Sequence, residues 1–250
     1  MRSQINLLSA SVTFVAFAFG AQVHAQTFYV GGEAGWSSLE DQRDRPNVAA
    51  PAITSRFDDG FAAGARAGYE MGPWRFEAEY AYREHDLNSV QVGGARFGAT
   101  GDRHAHAVMG NVLYDVPLGA WMPMALPLTP HIGAGIGAVN LTDTVRVAGR
   151  SNTDDDWVFG YQAIAGVRYN LSPNLAVDLD YKYLATDDAT FRIRGTGISY
   201  RSGYETHNFM ASIVWRFAAP PPPAPVAAPL PPAPPAPPPP APVRVPAVRG

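Results

Sequence analysis

The chain has 250 residues, with 19 Lys and Arg against 22 Asp and Glu and a formal net charge of -3 at pH 7. That balance offers no basic footprint for nucleic acid, and a count of 0 Cys excludes both a disulfide framework and a thiolate zinc site. With 24 Gly and 11 Tyr but only 16% charged residues, the composition is that of an all-β chain rich in turns.

Residues 1–25 carry one early cation, Arg2, an apolar run between Leu7 and Phe19, and Val23-His24-Ala25 ahead of Gln26. This is the pattern of a cleaved secretory signal peptide. No later segment offers the roughly 20 apolar residues a spanning helix needs, so the mature protein is expected to leave the cytoplasm without a helical anchor. In the first strand Phe28, Val30, Ala34 and Trp36 alternate with Tyr29, Gly31, Glu33 and Gly35. A polar stretch at 37–58 reads as a loop. Phe61, Ala63, Ala65, Ala67, Tyr69 and Met71 then alternate with Ala62, Gly64, Arg66, Gly68 and Glu70, and Gly72-Pro73 turns the chain. The next strand sets Trp74, Phe76, Ala78, Tyr80 and Tyr82 against Arg75, Glu77, Glu79 and Arg83.

A second polar loop is read at 84–103, followed by a strand at about 104–115 with Val108, Val112 and Tyr114 on the apolar side and Asn111 opposite. Residues 116–129 form a long apolar turn containing Trp121, expected at a membrane interface. From His131, Ile132, Ala134, Ile136 and Ala138 alternate with Gly133, Gly135, Gly137 and Val139. After a third polar loop at 140–156 comes the clearest hairpin. Phe159, Tyr161, Ala163, Ala165, Val167 and Tyr169 share one face, and Leu175, Val177, Leu179, Tyr181 and Tyr183 answer across the turn Asn170-Leu171-Ser172-Pro173-Asn174. A fourth loop at 185–204 precedes the last strand, where Phe209, Ala211, Ile213, Trp215 and Phe217 share a face.

One hairpin of this kind fits a soluble sandwich as well as a membrane barrel. The whole chain, with export, about eight strands and short turns alternating with long polar loops, favours the barrel. Closure follows, because an open sheet edge in lipid leaves backbone groups unpaired. The run "YQAIAGVRYNLSPNLAVDLDYKYL" (161–184), the glycine strand "PHIGAGIGA" and the terminal "HNFMASIVWRF" resemble the eight-stranded outer membrane protein β-barrel family, which includes the barrel of outer membrane protein A. The resemblance covers nearly all of 26–217. It implies an all-β fold, an eight-stranded antiparallel transmembrane β-barrel in the outer membrane of a Gram-negative bacterium. It also implies that the final strand, through Phe209, Ile213, Trp215 and Phe217, presents the signal read by the barrel-assembly machinery.

An eight-stranded barrel is just wide enough for its own side chains to fill. The inward set contains Glu33, Arg66, Glu70, Arg75, Glu77, Glu79, Arg83, Arg168, Asp178, Asp180, Lys182 and Arg216. Unpaired charges there are costly, so salt-bridge networks are expected to close the lumen, with ion passage through transient openings as the alternative. Trp36, Tyr69, Trp74, Tyr80, Tyr82, Tyr114, Tyr169, Tyr181, Tyr183, Trp215 and Phe217 form the expected lipid-facing girdle. Residues 218–250 are almost only Pro, Ala and Val, a polyproline II tail reaching on the order of 90 Å into the periplasm. In proteins resembling outer membrane protein A such a linker leads to a peptidoglycan-binding domain, which is absent from this sequence. Without that domain the resemblance does not carry envelope tethering over to this chain; peptidoglycan or a periplasmic protein is the sharper expectation for the tail, and a disordered extension the equally weighted plainer one.

The domains are thus read as a signal peptide (1–25), a barrel (26–217) and a tail (218–250). The function is read as structural or surface-interacting, probing alternatives of a narrow low-conductance pore and an adhesin acting through Phe191, Arg192, Arg194, Tyr200 and Arg201. The chain is read as a monomer without cofactor or metal. The glycine run at 133–137 has strand periodicity and no following helix, unlike a nucleotide loop. Asp154, Asp155 and Asp156 are three acids in an exposed loop. His85, Asp86, Asp102, His104, Asp187, Asp188 and His207 fall near one rim, as any polar rim would place them, and the chain is read as no enzyme.

Overall fold

The computed structural model describes residues 27–49, 51, 53–117, 128–147, 150–195 and 197–217. The expected signal peptide, the tail and most of the apolar turn at 116–129 lie outside the described residues. Among the described residues twelve strands follow one another: β1 (Thr27–Leu39), β2 (Gln42–Pro46), β3 (Ile53–Phe57), β4 (Gly60–Met71), β5 (Trp74–Val92), β6 (Ala95–Asp115), β7 (Leu128–Val147), β8 (Arg150–Asn170), β9 (Leu175–Thr186), β10 (Ala189–Arg192), β11 (Ser199–Ser202) and β12 (Glu205–Arg216). Eight of them close into an antiparallel ring in the order β5, β4, β1, β12, β9, β8, β7, β6, with β6 returning to β5. The first and last described strands meet in that ring, where β1 and β12 pair from Tyr29 with Arg216 to Leu39 with Thr206.

The strands form because the alternation has period two, and the burial follows it inside out. Arg75 and Lys182 are 0% exposed, whereas Ile136 is 62% and Ile213 64% exposed. Apolar side chains face outward and charged ones face the lumen, the arrangement of a strand whose solvent is lipid. Glycines on the inner face make room for large neighbours. A methyl group added at Gly68 would collide with the Tyr29 ring, and one at Gly166 with Asp180 and His131.

Four of the twelve strands correct the expected polar loops. β2 and β3 lie within the stretch expected as a loop at 37–58, and β10 and β11 within that expected at 185–204. Each is the continuation of a ring strand after a two-residue break: β1 into β2 across Glu40-Asp41, β3 into β4 across Asp58-Asp59, β9 into β10 across Asp187-Asp188, and β11 into β12 across Gly203-Tyr204. The loops expected at 84–103 and 140–156 are likewise strand. β5 runs on to Val92 and turns through Gly93 and Gly94, both at positive φ (56 and 92), and β7 and β8 continue to Val147 and from Arg150. β7 also begins at Leu128, ahead of the expected start. Polar outer residues had suggested loops, but beyond the membrane the outer face of a strand meets water and has no need to be apolar.

The upper sheet runs from β5 through β3, β2 and β11 to β10. The free edge of β10 is held by side chains of β8. The backbone amides of Thr190, Arg192 and Arg194 donate to Asp156 Oδ2 (2.9 Å), Asp154 Oδ2 (2.7 Å) and Asn152 Oδ1 (3.0 Å). An unpaired edge is thereby satisfied without a ladder. The barrel wall continues above the ring as a cup at the long-loop end, which in barrels of this type faces outward. The main apolar core lies between the two levels and includes Leu39, Met109, Leu141, Leu184, Phe191 and Tyr204.

Candidate functional site

The lumen of the ring is crossed by charged side chains that pair across its width. Arg168 on β8 grips Asp178 on the neighbouring β9 with two bonds, Nε to Oδ1 at 2.7 Å and Nη2 to Oδ2 at 2.8 Å. Its Nη1 reaches Glu70 Oε1 at 2.7 Å on β4, four strands away around a ring of eight. Lys182 on β9 bonds Glu33 on β1 (2.7 and 2.9 Å) and lies 3.0 Å from Glu79 Oε2 on the diametrically opposed β5. Arg66 sits at the centre. It bonds Asp178, donates to Asp180 Oδ2 at 3.0 Å, and has Glu33 and Glu77 at 3.7 and 3.9 Å. Arg75 joins through Asp115 (2.9 Å), Glu77 (3.4 Å) and Asp178 (3.8 Å).

Most of the residues singled out for the lumen therefore meet in one network. Glu70 and Arg216 meet at its short-turn rim, where Arg216 Nε lies 3.2 Å from Glu70 Oε1. Arg83 stands apart: its Nε donates to Asn208 Oδ1 at 3.0 Å, and no ion pair joins it to a carboxylate among the described residues. Several neutral or weakly polar partners escaped the sequence reading as network members. Tyr29 donates to Glu77 at 2.5 Å, Asn111 and Gln162 donate to Glu79 at 2.8 and 3.1 Å, and His131 Nε2 lies 2.8 Å from Asp180 Oδ1. Their inward parity was the available signal, and attention to formal charge passed over it.

Above the apolar core, the cup has its own buried centre. Arg103 donates through Nη2 to Asp143 Oδ2 (2.8 Å) and through Nη1 to Ser202 Oγ (3.0 Å). Its guanidinium lies 4.8 Å from the Phe57 ring centroid and 5.3 Å from that of Phe191. Tyr200 donates to Asp143 at 2.6 Å, and burial with the adjacent carboxylate pushes its phenol well above the usual tyrosine range. Burial likewise raises Asp44, with Arg103 and Ser55 pulling the other way. All these residues fall in stretches read as loops, where pairing could not be inferred. Of the residues expected to meet a surface, Phe191 is buried and Tyr200 is turned to Asp143, leaving Arg192, Arg194 and Arg201 exposed.

On the outer wall, Tyr69, Trp74, Tyr114, Tyr169, Trp215 and Phe217 lie toward the short-turn end, and Trp36, Tyr80, Tyr82, Tyr181 and Tyr183 toward the cup. The upper group is joined by histidines that the sequence reading left without a role. Nδ1 of His106, His104 and His207 lies 2.8, 2.7 and 2.7 Å from the hydroxyls of Tyr80, Tyr82 and Tyr181. His85 instead faces the lumen beside Ser37 (3.0 Å), while of the rim acids and histidines His104 Nε2 and Asp102 Oδ2 lie 2.8 Å apart. Asp154 and Asp156 cap β10, Asp155 accepts from Asn140 at 3.2 Å, and no metal-binding group of three or more His, Cys, Asp or Glu occurs among the described residues.

Comparison with known proteins agrees with this architecture. The family described as outer membrane protein beta-barrel domain matches residues 8–217. An uncharacterized protein of Brucella abortus is 30% identical over 115 residues, 42% of this chain and 38% of that protein, so the chain matches well under half of its relative's length. Among solved structures, the outer membrane protein OprG from Pseudomonas aeruginosa superposes with a TM-score of 0.57 at 14% identity, covering 78% of this chain and 97% of that one. Neisserial surface protein A gives a TM-score of 0.46 at 17% identity over 76% and 97% of the two chains.

Proposed function

Because the chain belongs to the outer membrane protein β-barrel domain family, we propose that it is a closed barrel of the bacterial outer membrane that acts at its outward end and as part of the envelope, and does not work as a pore. One observation carries this: ion pairs join strands on opposite sides of the ring, Lys182 to Glu79 and Arg168 to Glu70, at 3.0 and 2.7 Å. Side chains bonded across the full width obstruct the lumen. The outward apolar band inserts in lipid, and the two aromatic levels set its depth. The strand ending in Phe217 is the element the assembly machinery would engage.

Planar-bilayer recording of the full chain tests the reading. A closed lumen gives no steady conductance, while Lys182→Ala with Glu79→Ala opens low-conductance events. Steady single-channel steps from the unaltered protein would replace it with the narrow-pore alternative. For the tail at 218–250, we propose periplasmic reach toward peptidoglycan. Co-sedimentation with purified peptidoglycan should be lost when the chain is ended at Phe217, and equal sedimentation of both forms would remove that role.

A further inference from the structure

The cup holds a half-open cavity of about 460 Å³, within the range of small-ligand sites. Its wall is apolar, with Ile53 and Phe57 from β3, Leu87 and Val90 from β5, Phe97 from β6 and Val145 from β7. Two carboxylates, Asp44 and Asp143, share this lining and are 6% and 4% exposed. Their situations differ. Asp143 is served by Arg103 and by the Tyr200 hydroxyl. Asp44 accepts from Ser55 through Oδ2, while Oδ1 is buried without a hydrogen-bond partner. The Ser202 hydroxyl is near enough to favour the charged form of Asp44, but it donates to the Gly203 carbonyl at 3.5 Å. One guanidinium thus stands against two buried carboxylates.

We propose that this cavity binds a small amphiphile with a single cationic, hydrogen-bond-donating head, such as a free alkylamine, its head on Asp44 Oδ1 and its chain along the apolar wall. An anionic head would meet a surplus of negative charge. A chain without a donor would fill the wall and leave Oδ1 unbonded, and a buried acceptor without a donor is costly; a neutral hydroxyl would bond Oδ1 but leave the surplus charge unpaired. The occupant enters and leaves from outside because the ion-pair plug closes the lumen beneath, and in that respect the site rests on the closed-barrel reading.

The test uses the full chain in lipid nanodiscs, with methyl NMR at Ile53, Val90 and Val145 and at lipid-facing Ile136 as the partitioning control. Octylamine, octanol and octanoate are titrated in turn. Octylamine should give saturable shifts in the cavity methyls alone, at an affinity about tenfold above octanol, the surplus of an ammonium donor over a neutral hydroxyl on the same buried carboxylate. Asp44→Asn should bring octylamine to the octanol level, and Val90→Gln should weaken both. Equal affinity for all three molecules, indifference to Asp44→Asn, or shifts at Ile136 matching those in the cavity would each overturn the site. Bilayer recording of the same preparation keeps the two readings apart. Silence with no octylamine binding sinks the site and leaves the plug, whereas conductance blocked by octylamine overturns the dead-end site together with the closed barrel.

Discussion

The plug and the cup are built on the same ring strands and their continuations, yet they solve the problem of an interior in opposite ways. In the ring the lumen is filled by charges that satisfy one another, with Arg66 bonded to Asp178 and Asp180 and facing Glu33 and Glu77. In the cup a single Arg103 is sandwiched between Phe57 and Phe191, and the space beside it is left open and apolar. The difference follows from surroundings. A ring strand must give its apolar face to lipid, so its charged residues collect on the inside. Above the membrane both faces are free to vary, and the interior can become an ordinary binding cavity.

The largest effect is expected from Arg66→Ala, which strips four buried carboxylates of their shared cation. Removing one partner of a buried network costs about 3–5 kcal/mol, read as a lowered midpoint of denaturant unfolding in lipid vesicles. An unchanged midpoint would dissolve the contrast with the cup. Arg103→Ala breaks a buried pair of the same kind, but only in the cup. It should cost on the order of 3 kcal/mol locally, raising hydrogen exchange in β2, β3, β10 and β11 while the ring amides keep their protection. Spread of the loss into β9 or β12 would mean that the two regions are one unit. Gly68→Ala forces a methyl group against the Tyr29 ring. About 1–3 kcal/mol of overpacking is expected, with Tyr29→Phe giving no relief and Tyr29→Ala restoring part of it.

The smallest effect concerns pH. Asp44 is held above the usual carboxylate value by burial. A carboxyl whose folded value is raised contributes stability that is full below its unfolded value, about 3.9, and is lost as pH climbs through the folded value. Protease resistance of the cup should therefore fall slightly as pH rises through that window, and Asp44→Asn should flatten the trend. An unaltered slope in the variant would assign the dependence to other groups.

The ring was legible because lipid imposes a strict rule: Phe76, Ala78 and Tyr80 must face out where Glu77 and Glu79 face in. The cup was hidden by the same rule. His85, Leu87 and Ser89 keep the inward parity of β5, and Leu141, Asp143 and Val145 that of β7, but their outward neighbours are polar and look like loop. The breaks had a signal of their own in the acidic pairs Glu40-Asp41, Asp58-Asp59 and Asp187-Asp188. Which charges pair was not legible, since Lys182 finds Glu79 only through the stagger by which eight strands close.

The most direct measurement is a double-mutant cycle on Arg66→Ala and Asp178→Ala, with unfolding of the refolded barrel in vesicles as the readout. A plug of mutually dependent charges gives a double variant more stable than the sum of the single losses, with a coupling of about 1–3 kcal/mol. Additive losses would show that the two residues act independently, and would contradict the account of the lumen as one ion-paired closure.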